Sequence, residues 1–553
     1  MSKKILFLFL LFSAGITQAQ KLKKEDRQII AHLQHHVLFL SDDKLEGRRT
    51  GSMGEKLAAE YISAQFKNIG LSPKGTKEFF QPFEVAEGKQ LHPSTALSIN
   101  NNQLQLGKDF FPLVYSIDTS LAASPSMALQ EPGMPWFFDL KELMDENAAN
   151  PHFDLNAAVA NSAKQVLKRG GTAVFIYNST GKPDGLKFDG KDKTEAPGIP
   201  VIYLSNEIAA KYLSDESAAV DIKLKVAIAD KKRLGINVAG YIDNGAASTI
   251  IIGAHYDHLG YGEDGNSREV EKKTLVHNGA DDNASGIAAM TELARLLKNA
   301  KHKSNNYLFL AFSGEELGLY GSKHFTQYPT IHLSTVNFMI NLDMVGRLND
   351  SSRTVTVGGY GTSPYWGEVY GLQGKKRLYA GDLKFRFDSS GTGPSDHTSF
   401  YLKNIPVLFY FTGLHSDYHK PTDDFNKINF NGTLGIVKHI FSLLETHEKQ
   451  KSKLVFTKTR ETQTTTSARF SVTLGIMPDY TFSGAGVRAD GVSDNKPAQK
   501  AGLKAGDIIM SIGEHKINSL ESYMQTLARF KKGDKAKVIY QRGNETLSTT
   551  VEF

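Results

Sequence analysis

Five short apolar runs, at 237–242, 248–254, 307–312, 337–342 and 405–411, constrain most strongly what this chain folds into. Each is too brief for a core helix, rich in branched and aromatic residues, and bounded by polar ones, which is the pattern of buried strands. Between or after them lie stretches of helical spacing, clearest at 285–297 and 431–446. Such alternation predicts an α/β fold with a mostly parallel sheet covered on both faces. An open sheet of this kind gathers its chemistry at the carboxyl ends of its strands. Those ends are where the titratable residues stand. His255-Tyr256-Asp257-His258 follows the second run, Ser313-Gly314-Glu315-Glu316 the third, Asp343 the fourth, and Tyr418-His419 comes after the fifth. Between the second and third runs, a loop at 278–286 holding Asp281-Asp282 opens a helix.

So many acids on one sheet edge repel one another unless a cation sits among them. The chain has no cysteine, so thiolate ligands, thiol nucleophiles and disulfides are excluded. Imidazole and carboxylate donors suit Zn²⁺, with Mn²⁺ or Co²⁺ as substitutes. Each position also has a plainer reading: Glu315-Glu316 as first-turn acids favoured by the helix dipole, Asp281 or Asp282 as a helix cap. The argument for a metal centre rests on the set. His255 and Asp257, two apart in extended chain, face the same way, so Asp257 orients the neighbourhood while His255 binds. His258 and His277 read as supporting residues, Asp396 and His397 as a helix start capped by Ser395, and Arg347 as a substrate contact or a partner for an acid. No G-x-S-x-G elbow occurs, which argues against a serine hydrolase.

The rest of the chain divides by texture. Residues 1–19 have a basic start at Lys3-Lys4, an apolar run from Ile5 to Phe12 and small residues at Thr17 and Ala19, the pattern of a cleaved signal peptide. The run is too short to span a membrane, and without cysteine a lipoprotein anchor is excluded. Export without disulfides suits a bacterial periplasmic or secreted protein. The formal charge of +6 over 553 residues is small and interspersed, so nucleic acid is not an expected partner. Helices are expected at 27–39 and 53–69, the second stopped by Gly70. The expected divisions are 20–106 as the first part of the sheet domain, 107–234 as an insert with strands at 172–177 and 199–204, 235–448 as the catalytic part, 449–466 as a linker and 467–553 as a small β-rich domain.

The set His255-x-Asp257, Gly279-Ala280-Asp281-Asp282-Asn283-Ala284-Ser285-Gly286, Glu315-Glu316, Asp343 and Tyr418-His419 resembles the M28 zinc peptidases, and the likeness extends over 27–106 and 234–448. It implies two zinc ions: Asp282 bridging them, His255 and Asp343 completing one site, Glu316 and His419 the other. Glu315 would be the general base, and Tyr418 would help hold the oxyanion. The implied activity is a secreted aminopeptidase. The same scaffold hosts carboxypeptidases and glutaminyl cyclases, and a non-catalytic peptide receptor is the alternative from another class. The insert resembles a protease-associated (PA) domain, through Gly170-Gly171-Thr172-Ala173-Val174-Phe175-Ile176 and Ile199-Pro200-Val201-Ile202. The last domain resembles a bacterial PDZ domain, through Leu474-Gly475-Ile476-Met477 and 497–509. That likeness implies that Leu474, Gly475, Ile476 and Met477 receive a peptide carboxyl terminus, with the peptide adding as a strand.

Overall fold

The computed structural model of the chain describes residues 22–147, 153–192, 194–215, 217–269, 274–371, 378–450, 452–459 and, except for 479–481, 483, 493–495, 519 and 528, residues 472–553. The signal peptide expected over 1–19 lies outside them. Among the described residues no helix is long and apolar enough to cross a membrane.

The five apolar runs all lie in one nine-stranded sheet. Its order is Ser72–Pro73, Ile228–Ile242, Asn306–Phe312, Thr249–His255, Val336–Leu342, Val407–Phe411, Thr354–Gly358 and Lys384–Phe387, with Phe80–Leu91 also paired to Ile228–Ile242. The four central strands, from Asn306–Phe312 to Val407–Phe411, are parallel. The flanks join antiparallel, through Ile228–Ile242 on one side and Thr354–Gly358 on the other, so the sheet is mixed and its parallel part is the centre. Successive residues of a strand serve opposite faces. Ile250, Ile252 and Ala254 pack under Leu33, Val37, Ile62, Phe66, Leu293 and Ile440. These come from the helices Lys24–Leu40, Met53–Ile69, Gly286–Asn299 and Phe430–His447. Ile251, Leu308, Leu310 and Phe312 face the other way, against Phe325 and Phe400 of Tyr320–Gln327 and His397–Tyr401. Both faces are therefore covered, as the near-continuous apolar runs require. The helix expected over 53–69 has those bounds: the Ser52 hydroxyl accepts from the Glu55 N–H at its start, and Gly70 takes the left-handed conformation at its end.

The insert departs from the boundaries 107–234. Its two four-stranded sheets use Ala96–Ile99 and Asn102–Gln103 at the start and Ile222–Val226 at the end. Residues 228–234 instead continue a long ribbon with Phe80–Leu91, in which Leu91 pairs with Ile228. The insert thus hangs from two adjacent strands of the nine-stranded sheet. The polarity of Lys231, Lys232 and Arg233 hid that strand, because the ribbon projects beyond the covered part of the sheet.

The expected linker 449–466 is also corrected in part. Residues 453–459 lie along the body of the sheet domain. Leu454 is buried and its N–H donates to Asn337 Oδ1 at 2.9 Å, and the Thr457 N–H donates to the Thr362 carbonyl. Beyond it, strands from Ile476–Pro478 to Glu545–Glu552 and the helix Leu520–Leu527 enclose a separate core built on Leu474, Ile509, Ile512, Val538 and Val551.

Candidate metal centre

Four parallel strands deliver the site. His255 is the last residue of Thr249–His255, Asp343 directly follows Val336–Leu342, and Glu315 and Glu316 follow Asn306–Phe312 after a turn in which Gly314 has φ +71°. His419 lies on the loop after Val407–Phe411, and Asp282 lies in the turn that opens Gly286–Asn299. That turn holds a cis peptide between Asp282 and Asn283. Neither aspartate caps the helix: Asn283 Oδ1 accepts from the Gly286 N–H at 3.0 Å, and the Asp281 carboxylate accepts from Gly346 N–H and the Ser285 hydroxyl.

The five residues expected as ligands converge. His255 Nε2 is 3.3 Å from Asp282 Oδ1 and 3.3 Å from Asp343 Oδ1. His419 Nε2 is 3.3 Å from Asp282 Oδ2 and 3.1 Å from Glu316 Oε2. The two oxygens of Asp282 thus face two separate histidine–carboxylate pairs. His258, read from sequence as a supporting residue, sits closer than that reading suggests: its Nδ1 is 2.7 Å from Glu316 Oε1 and 3.9 Å from Asp282 Oδ2. His255, Asp282 and Asp343 form one group of potential donors, and His258, Asp282 and Glu316 form a second, with the atoms of each within 4.8 Å of one another.

The His255 and His419 imidazoles are each oriented through Nδ1. His255 Nδ1 donates to the Asp257 carbonyl at 3.2 Å, and His419 Nδ1 donates to the Asn266 carbonyl at 3.0 Å. That fixes the tautomer and leaves Nε2 facing the carboxylates. Asp257 is buried, accepts from the Thr50 hydroxyl and the Glu315 N–H, and so ties the position of Glu315 to that of His255. Ser395 does not cap a helix with its side chain; its hydroxyl donates to Asp343 Oδ2 at 2.8 Å and accepts from Asn341. Asp423, four residues past His419, accepts the N–H groups of Asp281 and Asp282 at 2.9 and 3.0 Å. Arg347 pairs with Asp417 at 3.0 Å. The wholly buried Arg48 donates through Nε to the Tyr256 carbonyl at 2.7 Å, through Nη1 to those of Asn278 and Leu40, and through Nη2 to that of Gly279 at 3.0 Å. One guanidinium thereby braces the loops of His255 and Asp282. The preceding Gly47 is in the left-handed region, and a Cβ there would lie 2.6 Å from the Gly260 carbonyl oxygen.

The electrostatics call for positive charge. Burial works against protonation of His255, but the charges of Asp343 and Glu315 outweigh it and hold its pKa well above the usual value. His419 is likewise desolvated, yet Glu316 and Asp282 push it up to about 11. Asp282 is held well below the ordinary carboxylate range because His258, His255 and His419 outweigh its burial. Carboxylates gathered this closely favour positive charge among them, which a bound divalent cation would supply. The nitrogen and oxygen donors, without sulfur, fit zinc. Burial pushes Glu315 well above its ordinary value; His255 opposes this, and Asp343, Glu316 and Asp396 reinforce it. The Tyr418 ring stacks on His419 with centroids 3.8 Å apart. Its hydroxyl is pushed upward by burial first and by Asp282, Glu316, Glu315 and Asp343 after it.

Strand-end placement and paired donor groups define a candidate metal centre on the carboxyl edge of an α/β sheet covered on both faces. Comparison with known proteins gives the particular family. Residues 237–444 match peptidase family M28, and residues 458–553 match the PDZ domain. The aminopeptidase YwaD of Bacillus subtilis is 28% identical over 280 residues, 48% of this chain and 55% of that protein. An aminopeptidase of Pseudomonas aeruginosa is 27% identical, covering 47% and 44%. Leucine aminopeptidase 2 of Trichophyton tonsurans is 24% identical, covering 73% and 76%. The chain thus spans about half the length of the first relatives it matches. Among solved structures, a zinc aminopeptidase from Bacillus subtilis aligns over 77% of this chain and 98% of its own, at 20% identity and a TM-score of 0.40.

Proposed function

We propose that the chain is an exported di-zinc aminopeptidase. The observation that carries this reading is the division of Asp282, one oxygen facing His255 and Asp343 and the other facing His419 and Glu316. Those five residues would hold the zinc ions, which when bound polarise a carbonyl and make water acidic enough to attack it at neutral pH.

The remaining steps belong to the chain. Glu315, raised by burial, accepts the proton of the attacking water and returns it to the leaving amine; a base whose pKa lies toward neutrality suits both transfers. Its backbone N–H, held by Asp257, keeps it beside His255. Tyr418 supplies a hydroxyl, kept protonated by its acidic surroundings, toward the developing oxyanion. The insert, PA-like in this reading, shapes access to the site. The PDZ domain presents the backbone of Leu474, Gly475, Ile476 and Met477 to peptide carboxyl termini. In the structure the Gly475 N–H is taken by the Thr473 hydroxyl at 3.1 Å, a bond that an incoming carboxylate would replace.

The test is a fluorogenic panel of free and blocked amino-terminal substrates, run before chelation, after it, and after zinc is restored. Cleavage of free amino termini that disappears with chelator and returns with zinc is expected. Glu315→Gln is expected to load zinc like the parent and turn over at least about 100-fold more slowly, the scale of a lost general base. Cleavage confined to blocked peptides would overturn the aminopeptidase reading, and full activity in Glu315→Gln would overturn the base.

A further inference from the structure

The strap of residues 453–459 meets the sheet domain at a functionally placed point. Leu454 is anchored beside Asn337, Lys453 Nζ donates to the Ser334 carbonyl, and the Phe456 and Tyr401 rings meet with centroids 5.5 Å apart. The strap reaches the segment 389–401 at Thr459. There the Thr459 N–H donates to Tyr401 Oη at 3.0 Å, its hydroxyl lies 3.2 Å from the same oxygen, and Thr459 Oγ1 accepts the Gly391 N–H at 2.9 Å. Gly391 lies flat on the Tyr401 ring, where a Cβ would come within 2.1 Å of Cδ2. Thr459 thus clamps both ends of a short stretch, one at Gly391 and the other at Tyr401. Inside that stretch the Thr398 hydroxyl and Gly393 bond each other in both directions, and Ser395 donates to Asp343. The bracing is continuous, and its last link is a residue expected to bind metal.

We propose that Thr459 and Tyr401 are positioning residues for the metal site: through the 391–401 stretch they set where Ser395 holds Asp343. The proposal rests on Asp343 being a ligand, as in the reading above. It gives the strap a task that a linker lacks. Because the PDZ match begins at residue 458, the first residues of that module are docked on the peptidase body and help hold the catalytic centre in register. Partners of a ligand's own contacts commonly alter metal affinity, and here the chain of partners is one step longer.

The experiment measures zinc affinity by competition with a chelator, on full-length chain stripped and reloaded, with kcat and KM in parallel. Thr459→Val removes the hydroxyl at nearly constant shape, and Tyr401→Phe removes the oxygen it meets. Each is expected to weaken one of the two zinc ions about tenfold and to lower kcat more than it raises KM. Thr459→Ser, which keeps the hydroxyl, is expected to match the parent, as is Val455→Thr at a strap position that is 70% exposed. Zinc affinities of Thr459→Val and Tyr401→Phe within about threefold of the parent overturn the proposal, and so does unfolding of either, which would make the contact merely structural. A parent that loads two zinc ions but cleaves nothing in the panel refutes the proposed function and leaves the affinity test of the strap intact. A parent that binds no zinc refutes both.

Discussion

Replacing Arg48 by methionine tests the bracing of the site most directly. The side chain is fully buried and gives hydrogen bonds to four carbonyls, those of Leu40, Tyr256, Asn278 and Gly279. Burial lowers its pKa to about 10 against the opposing pull of Asp282, Asp257, Asp423 and Glu316, so it stays charged at pH 7. Methionine fills much of the space but offers no donor. At the low end of the cost of an unsatisfied buried acceptor, about 1 kcal/mol each, four carbonyls amount to about 4 kcal/mol. Removing the guanidinium returns its desolvation penalty of several kcal/mol but leaves Asp282, Asp257, Asp423 and Glu316 without its charge, a loss of about 3–5 kcal/mol. These two roughly offset, so Arg48→Met is expected to lose about 4 kcal/mol, the cost of the carbonyls. Lysine restores the charge but not the planar fork that reaches several carbonyls at once, and Arg48→Lys is expected to recover less than half of that loss. Urea denaturation of the full chain, followed by a probe in the sheet domain, gives both numbers. A loss below about 1 kcal/mol in Arg48→Met would mean that the loops carrying His255 and Asp282 are held by packing alone, and the bracing argument would fail.

Three buried histidines should make the fold less tolerant of mild acid. Burial lowers His36 to about 3 and His439 and His447 to about 4, and His447 accepts from the Asn337 amide, a bond only the neutral ring makes. Their folded pKa values lie below the unfolded value of about 6.5, so the unfolded chain takes up protons first. The stability these three histidines contribute is intact above about pH 7 and falls as pH drops from 6.5 toward 4. In His447→Gln the difference between unfolding free energies at pH 7 and pH 5 should shrink by about 1–2 kcal/mol; an unchanged difference would show that His447 does not contribute. A chain ending at Thr459 keeps the strap and should cleave small fluorogenic substrates at the parent rate while losing efficiency on long peptides. An equal loss on both would give the PDZ domain a structural task instead of a recruiting one.

The strands and the convergence of His255, Asp282, Glu316, Asp343 and His419 were legible because both are local signals: an apolar run stops and a carboxylate or imidazole follows within a few residues. What escaped is what depends on contacts distant in sequence. His258 stands three residues from His255, and only the approach of Glu316, 58 positions later, gives it a place beside the site. Ser395 looked like a cap because it precedes a short helix, and the bond to Asp343 is set by sheet order. Arg48 stands out in no sequence pattern, since carbonyl partners leave no mark in sequence. The insert boundary slipped because a solvent-facing ribbon carries lysines and an arginine, the composition of a connector. The strap at 453–459 looked like a linker because only Leu454, Val455 and Phe456 distinguish it from its polar surroundings.

The ribbon that carries the insert has a consequence for how the chain could be rebuilt. Leu91 and Ile228 face each other as paired neighbours, and the His92 N–H donates to the Ala227 carbonyl at 3.0 Å, so the insert leaves and re-enters the sheet domain at the mouth of what is geometrically a hairpin. A two-residue Asn-Gly turn spans such a gap with the twist the strands already have. Everything from His92 to Ala227 is therefore removable in principle without shifting the register of a single strand that bears on the metal centre. The molecule is modular at that point, and the 136-residue cassette between the two positions is a place where one inserted domain could be exchanged for another on an unchanged sheet domain.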